Sequence, residues 1–273
     1  TLSHSVINID DKFGAELAAV LKRYEKCIVT YAVNNTKATV HARSIKSTGY
    51  GSKFIVDSPW GSRSIEARVI GEFNISNLLA VVSGLVCSGI SFEKACGAIS
   101  GLTHPQGRLQ KVRSLFKRSV YVDYAHTPDA LKSVLATLKG LVQFDGKLIT
   151  VFGAGGDRDK NKRPMMGEVV LDYSDIAIVT SDNPRYEDPL EICEAIVAGN
   201  KNCFMVDLDR RSAIRRAIDL SGEADIVLIA GKGHEKYQEV AGKRFSFDDY
   251  LEAESYLNDM YSDSIKHEGC LNV

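Results

Sequence analysis

Residues 148–173 read LITVFGAGGDRDKNKRPMMGEVVLDY, and their pattern is repeated through much of the chain. The first five residues, Leu148–Phe152, form an apolar run of the kind found in strands that are buried on both faces. A glycine-rich, charged loop follows at Gly153–Asp159. A helical pattern then begins at Pro164, where the missing backbone N–H costs nothing. This order predicts a strand, a loop and a helix of a parallel α/β sheet.

The same alternation recurs on both sides of this segment. The predicted strands are Val120–Val122, Leu148–Phe152, Ile176–Val179, Phe204–Val206 and Ile226–Ala230, and the predicted helices are Pro128–Lys139, Pro164–Tyr173, Pro189–Ala198 and Arg211–Leu220. Apolar strands that alternate with helices indicate a mostly parallel sheet covered by helices on both faces. We therefore predict an α/β fold.

The N-terminal part shows a helix among short strands instead. The predicted elements are a helix over Phe13–Arg23 capped by Asp10 or Asp11, strands over Cys27–Tyr31, Thr39–Ser44, Lys53–Val56 and Ile65–Val69, and two helices within residues 74–102, the second near Ser91–Ile99. The change of pattern places a domain boundary near residues 103–112, so we expect two domains.

Composition excludes several classes of protein. The 273 residues include 34 Lys and Arg against 35 Asp and Glu, which argues against a general nucleic-acid binder. The longest apolar run, Leu78–Cys87, is far shorter than the ~20 residues that span a bilayer, and the first residues lack a signal-peptide pattern. The six cysteines show no CxxC spacing, which disfavours a metal cluster. We expect a cytoplasmic protein with reduced thiols and without nucleic-acid or membrane partners.

Charged or glycine-rich loops follow every predicted strand of the parallel sheet. They are Asp123–His126, Gly153–Asp159, Ser181–Arg185, Asp207–Arg210 and Gly231–Glu235. The carboxyl ends of parallel strands share one edge of a sheet, and ligands bind there. The sequence therefore favours a polar binding site at this edge, although any one such loop is more commonly only solvated.

Two of these loops indicate the chemistry of the ligand. In the loop Gly153–Asp159, Arg158 stands where a GxGxxG fingerprint has its last glycine, so a small charged ligand fits better than a dinucleotide. In the turn at residues 182–185, Pro184 stiffens the backbone. Arg185 can grip a carboxylate there and Asp182 can hold an ammonium group, as an amino acid requires. The alternative is an ion pair between Asp182 and Arg185 inside the turn.

The last loop resembles half of a phosphate loop, but GxxxxGK[ST] occurs nowhere in the chain. The stretch from Gly231 to His234 permits a close backbone approach to a ligand, and Glu235 offers an acceptor for an amine. His126 and His234 have no partners at metal-binding spacing, so a structural role is the expectation for both.

Taken together, these motifs resemble the Mur ligase family, most closely its members that add diaminopimelate. The motifs are Gly71–Asn74 through Asn77-Leu78, Gly107-Arg108, Asp123–Pro128, the run from Gly155 to Pro164, Asp182–Arg185 and Gly231–Glu235. The resemblance implies that residues 1–109 are the C-terminal part of the central ATP-binding α/β domain. It also implies that residues 110–273 are the Rossmann-like ligase domain that binds the incoming amino acid.

The resemblance also implies roles for single residues. The ATP-binding residues would be Asn77, at the adenine, with Arg108, Asp123 and His126. The residues of the meso-diaminopimelate pocket would be Arg158, Asp182, Asn183, Pro184, Arg185, Gly231 and Glu235. No catalytic group and no metal ligand is assigned within this chain.

The implied reaction is formation of an amide bond with ATP and Mg²⁺ in peptidoglycan synthesis. It joins meso-diaminopimelate to UDP-N-acetylmuramoyl-L-alanyl-D-glutamate through an acyl phosphate, in a cytoplasmic monomer. The family's UDP-binding domain, phosphate loop and carbamylated lysine are expected before residue 1, and Gln110 stands where many members have Glu. We therefore expect a fragment that is inactive alone. The alternatives are a lysine-adding Mur ligase, a ligase like folylpolyglutamate synthase, and a non-catalytic binding module.

Overall fold

A computed structural model describes residues 4–24 and 27–270, with side chains as far as residue 264. The predicted lack of a signal peptide rests in part on residues 1–3, which lie outside these ranges. The chain divides into two compact units, residues 1–104 and 105–273. Within the described ranges, no helix is both long and apolar enough to cross a lipid bilayer.

The first unit contains a mixed sheet with three helices. Its elements are β1 (His4–Asn8), α1 (Lys12–Lys22), β2 (Cys27–Ala32), β3 (Val40–Thr48), β4 (Gly51–Ser58), β5 (Gly61–Ala67), α2 (Glu72–Cys87) and α3 (Phe92–Ile99). The five strands lie in the order β1-β2-β3-β4-β5. The β1–β2 and β2–β3 pairs are parallel, whereas β3–β4 and β4–β5 are antiparallel.

The two aspartates before α1 have different tasks. Asp11 is the N-cap, because its Oδ1 accepts a hydrogen bond from the Gly14 backbone N–H at 2.7 Å. Asp10 instead accepts from three consecutive backbone N–H groups, Val33 to Asn35, at 2.6 to 3.1 Å. The capping prediction is therefore confirmed for Asp11, and Asp10 holds the turn that follows β2.

The second unit contains the predicted parallel sheet. Its elements are β6 (Gln110–Lys111), β7 (Ser119–Asp123), α4 (Pro128–Lys139), β8 (Leu148–Phe152), α5 (Lys162–Tyr173), β9 (Ile176–Thr180), α6 (Pro189–Ile196), a short 3-10 helix (Lys201–Cys203), β10 (Met205–Asp207), α7 (Arg210–Leu220), β11 (Ile226–Ala230), β12 (Tyr237–Val240), β13 (Lys243–Ser246) and α8 (Asp249–Cys270). Six strands lie in the order β10-β9-β8-β11-β7-β6. All neighbours are parallel except β6 and β7.

Burial explains the apolar runs of this unit. Every residue of β8 and of β11 is buried, because both strands are central and are covered on both faces. The helix α7 packs on the sheet through Ala213, Ile214, Ala217 and Ile218, which recur at the helical period. The predicted α/β fold class is confirmed.

The bounds and the number of elements differ in places from the sequence predictions. The helix α5 begins at Lys162 rather than Pro164, and α6 ends at Ile196 rather than Ala198. The strands β1, β6, β12 and β13 and the helix α8 were not predicted. β6 has two residues and β13 is exposed throughout, so neither presents an apolar run. The helix α8 is largely polar, and Ala253 and Leu257 are its fully buried apolar side chains among those described.

A buried ion pair joins three elements of the second unit. The side chains of Arg210, at the start of α7, and Asp249, at the start of α8, have no exposed surface. Arg210 donates from Nε and Nη2 to the Asp249 carboxylate, each at 2.7 Å, and also from Nη2 to the Ala230 carbonyl at 2.9 Å. This pair therefore ties both helix starts to the carboxyl end of β11.

We expect Asp249→Ala to lower the free energy of unfolding by about 3–5 kcal/mol, because it leaves a buried guanidinium without its carboxylate. Glu252→Ala is the matched control: its exposed partner Arg211 lies next to Arg210, and the loss should stay below about 1 kcal/mol. Urea unfolding at pH 7 measures both. Equal losses for the two variants would show that burial of the Arg210 pair is not what matters.

Candidate functional site

The carboxyl ends of β7, β8, β9, β10 and β11 lie along one edge of the second unit's sheet, as the sequence predicts. Ten of the eleven candidate site residues belong to the loops at this edge or to the segment before β6. The eleventh, Asn77, lies in the first unit, exposed on α2.

Asp123 ends β7 and organises two loops. Its Oδ2 accepts from the Leu109 N–H and its Oδ1 from the Ala125 N–H, both at 2.7 Å. Burial raises the pKa of this carboxyl, while the two backbone hydrogen bonds and the nearby Arg108 and His126 oppose that rise. Asp123 therefore holds the residue after Arg108 and the residue before His126, and both Arg108 and His126 are candidate site residues.

An aromatic cluster lies beside Asp123. The Tyr124 ring centroid lies 4.6 Å from that of His126 and 5.2 Å from that of His234. The guanidinium carbon of Arg108 lies 4.9 Å from the Tyr124 ring centroid. His126 Nδ1 is 2.8 Å from the Tyr124 carbonyl, and Lys162 Nζ donates to the His126 carbonyl at 2.9 Å. These contacts give His126 a fixed ring position.

Two glycines let the loops at residues 107 and 233 touch. A Cβ at Gly107 would lie 2.2 Å from the Gly233 carbonyl carbon, and a Cβ at Gly233 would lie 2.6 Å from Tyr124 Cβ. Both glycines also have positive φ, +67° and +54°. The close approach that the sequence analysis reserved for a ligand is thus made at Gly233 by the protein's own backbone.

Asn183 lies at the centre of a hydrogen-bond network. Its Oδ1 accepts from Lys232 Nζ at 2.8 Å and from the Glu239 N–H at 3.0 Å, and its Nδ2 donates to Glu235 Oε2 at 2.8 Å. Asn183 and Lys232 are buried, whereas the Glu235 side chain is 21% exposed. The network therefore joins the loop after β9, the loop after β11 and the hairpin β12–β13.

The surroundings of Asp182 bear on its predicted role. Asp182 Oδ1 forms an ion pair with Lys232 Nζ at 3.2 Å, off the line of a hydrogen bond, and no other described group donates to it. A Cβ at Gly231, where φ is +116°, would lie 3.1 Å from Asp182 Oδ2. The glycine thus lets the backbone lie close to that oxygen, while the other oxygen faces the lysine.

Arg185 adopts a left-handed backbone conformation that the hairpin holds in place. Its φ is +51°, its N–H donates to the Glu239 carbonyl at 3.0 Å, and its carbonyl accepts from the Ala241 N–H at 2.6 Å. Its Nη1 donates to the Gly156 carbonyl at 2.6 Å. The Asp182–Arg185 ion pair considered as an alternative does not occur among the described residues, since Asp182 pairs with Lys232.

A second ion pair, which the sequence analysis did not find, joins the loops after β8 and β9. Arg163 on α5 donates from Nη1 to Glu187 Oε2 at 3.0 Å and from Nη2 to Glu187 Oε1 at 2.9 Å. The Asp157 N–H adds a hydrogen bond at 2.6 Å and Lys160 lies at 3.1 Å. The Arg163 hydrogen bonds, against burial, lower the pKa of Glu187 to about 2. In the sequence, only the position of Arg163 at the start of the predicted helix, between Lys162 and Pro164, could have drawn attention to this pair.

Four cations at this edge have no carboxylate oxygen within ion-pair distance among the described residues. They are Arg108, Arg158, Lys162 and Arg185, whereas Arg163, Arg210 and Lys232 are paired. Burial lowers the pKa of Lys162, and Asp182 and Asp159 oppose that shift. An edge with cations that lack a carboxylate partner and with a partly exposed Glu235 suits a ligand that carries both carboxylates and an ammonium group. No group of three or more metal-ligating side chains occurs in the described part of the chain.

Two domain models of known protein families match the chain. Residues 2–84 match the Mur ligase middle domain, and residues 107–233 match the Mur ligase, glutamate ligase domain. The two matches cover most of the chain.

Individual relatives are similar along nearly the whole chain. The UDP-N-acetylmuramoyl-L-alanyl-D-glutamate–2,6-diaminopimelate ligase of Chromobacterium violaceum is 41% identical over 94% of this chain and 52% of its own length. That of Coxiella burnetii is 44% identical over 94% and 53%. A solved structure of such a ligase is 37% identical, with a TM-score of 0.63 over 95% of this chain and 54% of the other. The chain thus spans about half the length of these relatives.

The Arg163–Glu187 pair predicts a stability that depends on pH. Because the pKa of Glu187 is lowered from 4.5 to about 2, its contribution is present above pH 4.5 and is lost as the pH falls toward 2. We expect Glu187→Gln to lower the free energy of unfolding by about 3 kcal/mol at pH 7, and by less at pH 3. Urea unfolding at the two pH values measures this. Glu194→Gln, which affects an exposed pair with Lys201, should change little, and a constant deficit for Glu187→Gln would contradict the assignment.

The contact between the two glycine loops gives another prediction. We expect Gly233→Ala to lower the free energy of unfolding by about 2 kcal/mol or more, since it adds both a clash and left-handed strain. Gly140→Ala is the control, because φ there is −69° and the nearest atom to its Cβ would lie at 3.5 Å. Thermal unfolding should show little change for this control. A similar small effect at Gly233 would mean that the two loops separate easily.

Proposed function

Because the chain belongs to the Mur ligase family, we propose that it is the amino-acid-binding half of an ATP-dependent ligase that adds meso-diaminopimelate to UDP-N-acetylmuramoyl-L-alanyl-D-glutamate. Residues 1–109 would then be the C-terminal part of the central ATP-binding domain, and residues 110–273 the ligase domain. The relatives that support this carry that substrate pair in their names. Peptidoglycan synthesis in the cytoplasm is the corresponding process.

In the proposed reaction, the γ-phosphoryl group of ATP moves to the D-glutamate carboxylate. The amine of diaminopimelate then attacks the acyl phosphate, and phosphate leaves as the amide forms. The second unit's task in this scheme is to bind the amine substrate and orient it, which can supply much of the rate enhancement.

The observation that carries the proposal is the arrangement of charges at the sheet edge. Arg185 and Arg158 are cations without a carboxylate partner, so they can receive the two carboxylates of the substrate. Glu235, held by Asn183 at 2.8 Å, can receive an ammonium group. Asp182 Oδ2, which lies close to the Gly231 backbone, is a second candidate for that role.

The nucleotide contacts are proposed for Asn77 in the first unit and for Arg108, Asp123 and His126 in the second. Arg108 is exposed over Tyr124 and has no carboxylate partner, which suits a phosphate or ribose oxygen. Asp123 is 2% exposed, so it would act chiefly through the loop that it holds. Among the described residues, no three His, Cys, Asp or Glu side chains are grouped so that they could hold a metal ion, so Mg²⁺ would depend on other ligands such as the phosphates of ATP. Since GxxxxGK[ST] is absent from the 273 residues, we expect no ligase turnover by this chain alone.

Binding of the amino acid can be tested on this chain directly. We expect calorimetry to show meso-diaminopimelate binding at least about tenfold more tightly than L-lysine, because lysine leaves Arg185 without an anion. Arg185→Ala should remove most of that preference. Arg215→Ala is the control, since Arg215 lies on α7 against Tyr256, and should keep the preference.

Three outcomes would contradict the proposal. Equal binding of the two amino acids by the wild-type chain would favour a lysine-adding ligase or another amino acid. A preference that survives Arg185→Ala would remove this residue from the pocket. No binding of either amino acid would leave a non-catalytic module as the better description.

A further inference from the structure

Two cysteines of the first unit lie at the ends of elements that pack on each other. Cys27 is the first residue of β2, and Cys87 is the last residue of α2. The strand β5 is antiparallel to β4, β4 is antiparallel to β3, and β3 is parallel to β2. β5 therefore runs in the same direction as β2. The helix α2 follows β5 and contacts β2, so it begins where β2 ends and returns across the sheet toward the start of β2.

The lengths of the two elements agree with this direction. Asn34, just after β2, donates from Nδ2 to Glu72 Oε2 at 3.4 Å, which places the start of α2 beside the end of β2. From Glu72 to Cys87 the helix rises about 22 Å, at about 1.5 Å per residue. From Asn34 back to Cys27 an extended chain covers at most about 23 Å, at about 3.3 Å per residue. The end of α2 therefore lies near the level of Cys27.

The side chains of both cysteines belong to the layer between β2 and α2. Val29 and Tyr31 of β2 pack in the same apolar cluster as α2, and side chains alternate along a strand, so Cys27 shares their face. Cys87 packs against that cluster too, one helical turn after the buried Ser83. Burial raises the pKa of the Cys87 thiol, and the charge of Cys27 raises it further, an influence that weakens with distance.

We propose that Cys27 and Cys87 are a redox-responsive pair that forms a reversible disulfide between the start of β2 and the end of α2. Both are thiols in this structure, Cys27 exposed and Cys87 partly buried. Among the described residues no third metal-ligating side chain joins them, which favours a disulfide over a metal site. The inference does not rest on the proposed function, because no residue assigned to a ligand takes part.

The oxidant is a small-molecule disulfide, for which oxidised glutathione is the probe. The exposed Cys27 attacks one of its sulfurs as a thiolate, and one glutathione thiolate leaves. The Cys87 thiolate then attacks Cys27 Sγ in the mixed disulfide, and the second glutathione thiolate leaves. The two protein thiols lose two protons and two electrons in total, and the oxidant becomes two molecules of glutathione.

The test treats the full chain under native conditions with an excess of oxidised glutathione and analyses the unreduced peptides by mass spectrometry. We expect the main product to be about 2 Da lighter than the reduced chain, with the peptide of Cys27 joined to that of Cys87. Dithiothreitol should restore the original mass. Such a product requires the two Cα atoms to come within about 7 Å of each other in the native chain.

Cys203→Ser is the matched control, because Cys203 is also exposed but lies in the second unit, and this variant should keep the cross-link. Cys27→Ser and Cys87→Ser should each abolish it. The proposal is overturned if the wild-type chain carries only glutathione adducts, or if Cys27 joins another cysteine or a second chain.

The rate of the second step shows whether the fold aligns the thiols. Starting from the mixed disulfide at Cys27, we expect closure onto Cys87 to be at least about tenfold faster in the native chain than in urea, because the fold holds the two groups at a high effective concentration. The cysteines are far apart in sequence, so an unfolded chain brings them together rarely. Equal rates in the two conditions would mean that the structure does not prearrange the pair.

Discussion

A cation removed from water must find acceptors on every side, and the second unit contains two such cations at the end of β11. Arg210 and Lys232 have no exposed side-chain surface. Their acceptors are a carbonyl at the end of β11, the start of α8, residues after β9 and the hairpin β12–β13. Because an unsatisfied buried charge is so unfavourable, these segments cannot move apart without a large loss of stability. The candidate site therefore rests on a framework that its own buried charges require.

Close backbone contact is the second constraint on the site. Gly107 and Gly233 allow two loops to touch, and Gly156 does the same toward Pro184, whose carbonyl would lie 1.9 Å from an added Cβ. The hairpin β12–β13 in turn hydrogen-bonds to both sides of Arg185 and keeps it in a left-handed conformation. Loops that would be mobile by themselves thus present their charged side chains from fixed positions, which lowers the entropy cost of binding a ligand.

The sequence was informative where a local pattern has one structural reading. The apolar runs of β8 and β11 predicted strands of a parallel sheet covered on both faces, because strands buried on both faces are apolar at nearly every position. The loops that follow the parallel strands could be assigned to one edge on topology alone, and the candidate residues Arg158, Asn183, Arg185 and Glu235 all lie there. The roles of these residues as ligand contacts remain a prediction.

Other features had no local signal. The partners of Arg163 and Lys232 are distant in sequence, at residues 187 and 183, so neither ion pair nor hydrogen bond could be read from spacing. The hairpin β12–β13 was missed because its residues are half-buried or exposed and form no apolar run. The sequence by itself determined the fold class, the order of strands and helices along the chain and the types of charged group at the sheet edge. Only the tertiary structure decided which charges are neutralised internally and which stay free for a ligand, because pairing depends on distances between segments that the linear order does not contain.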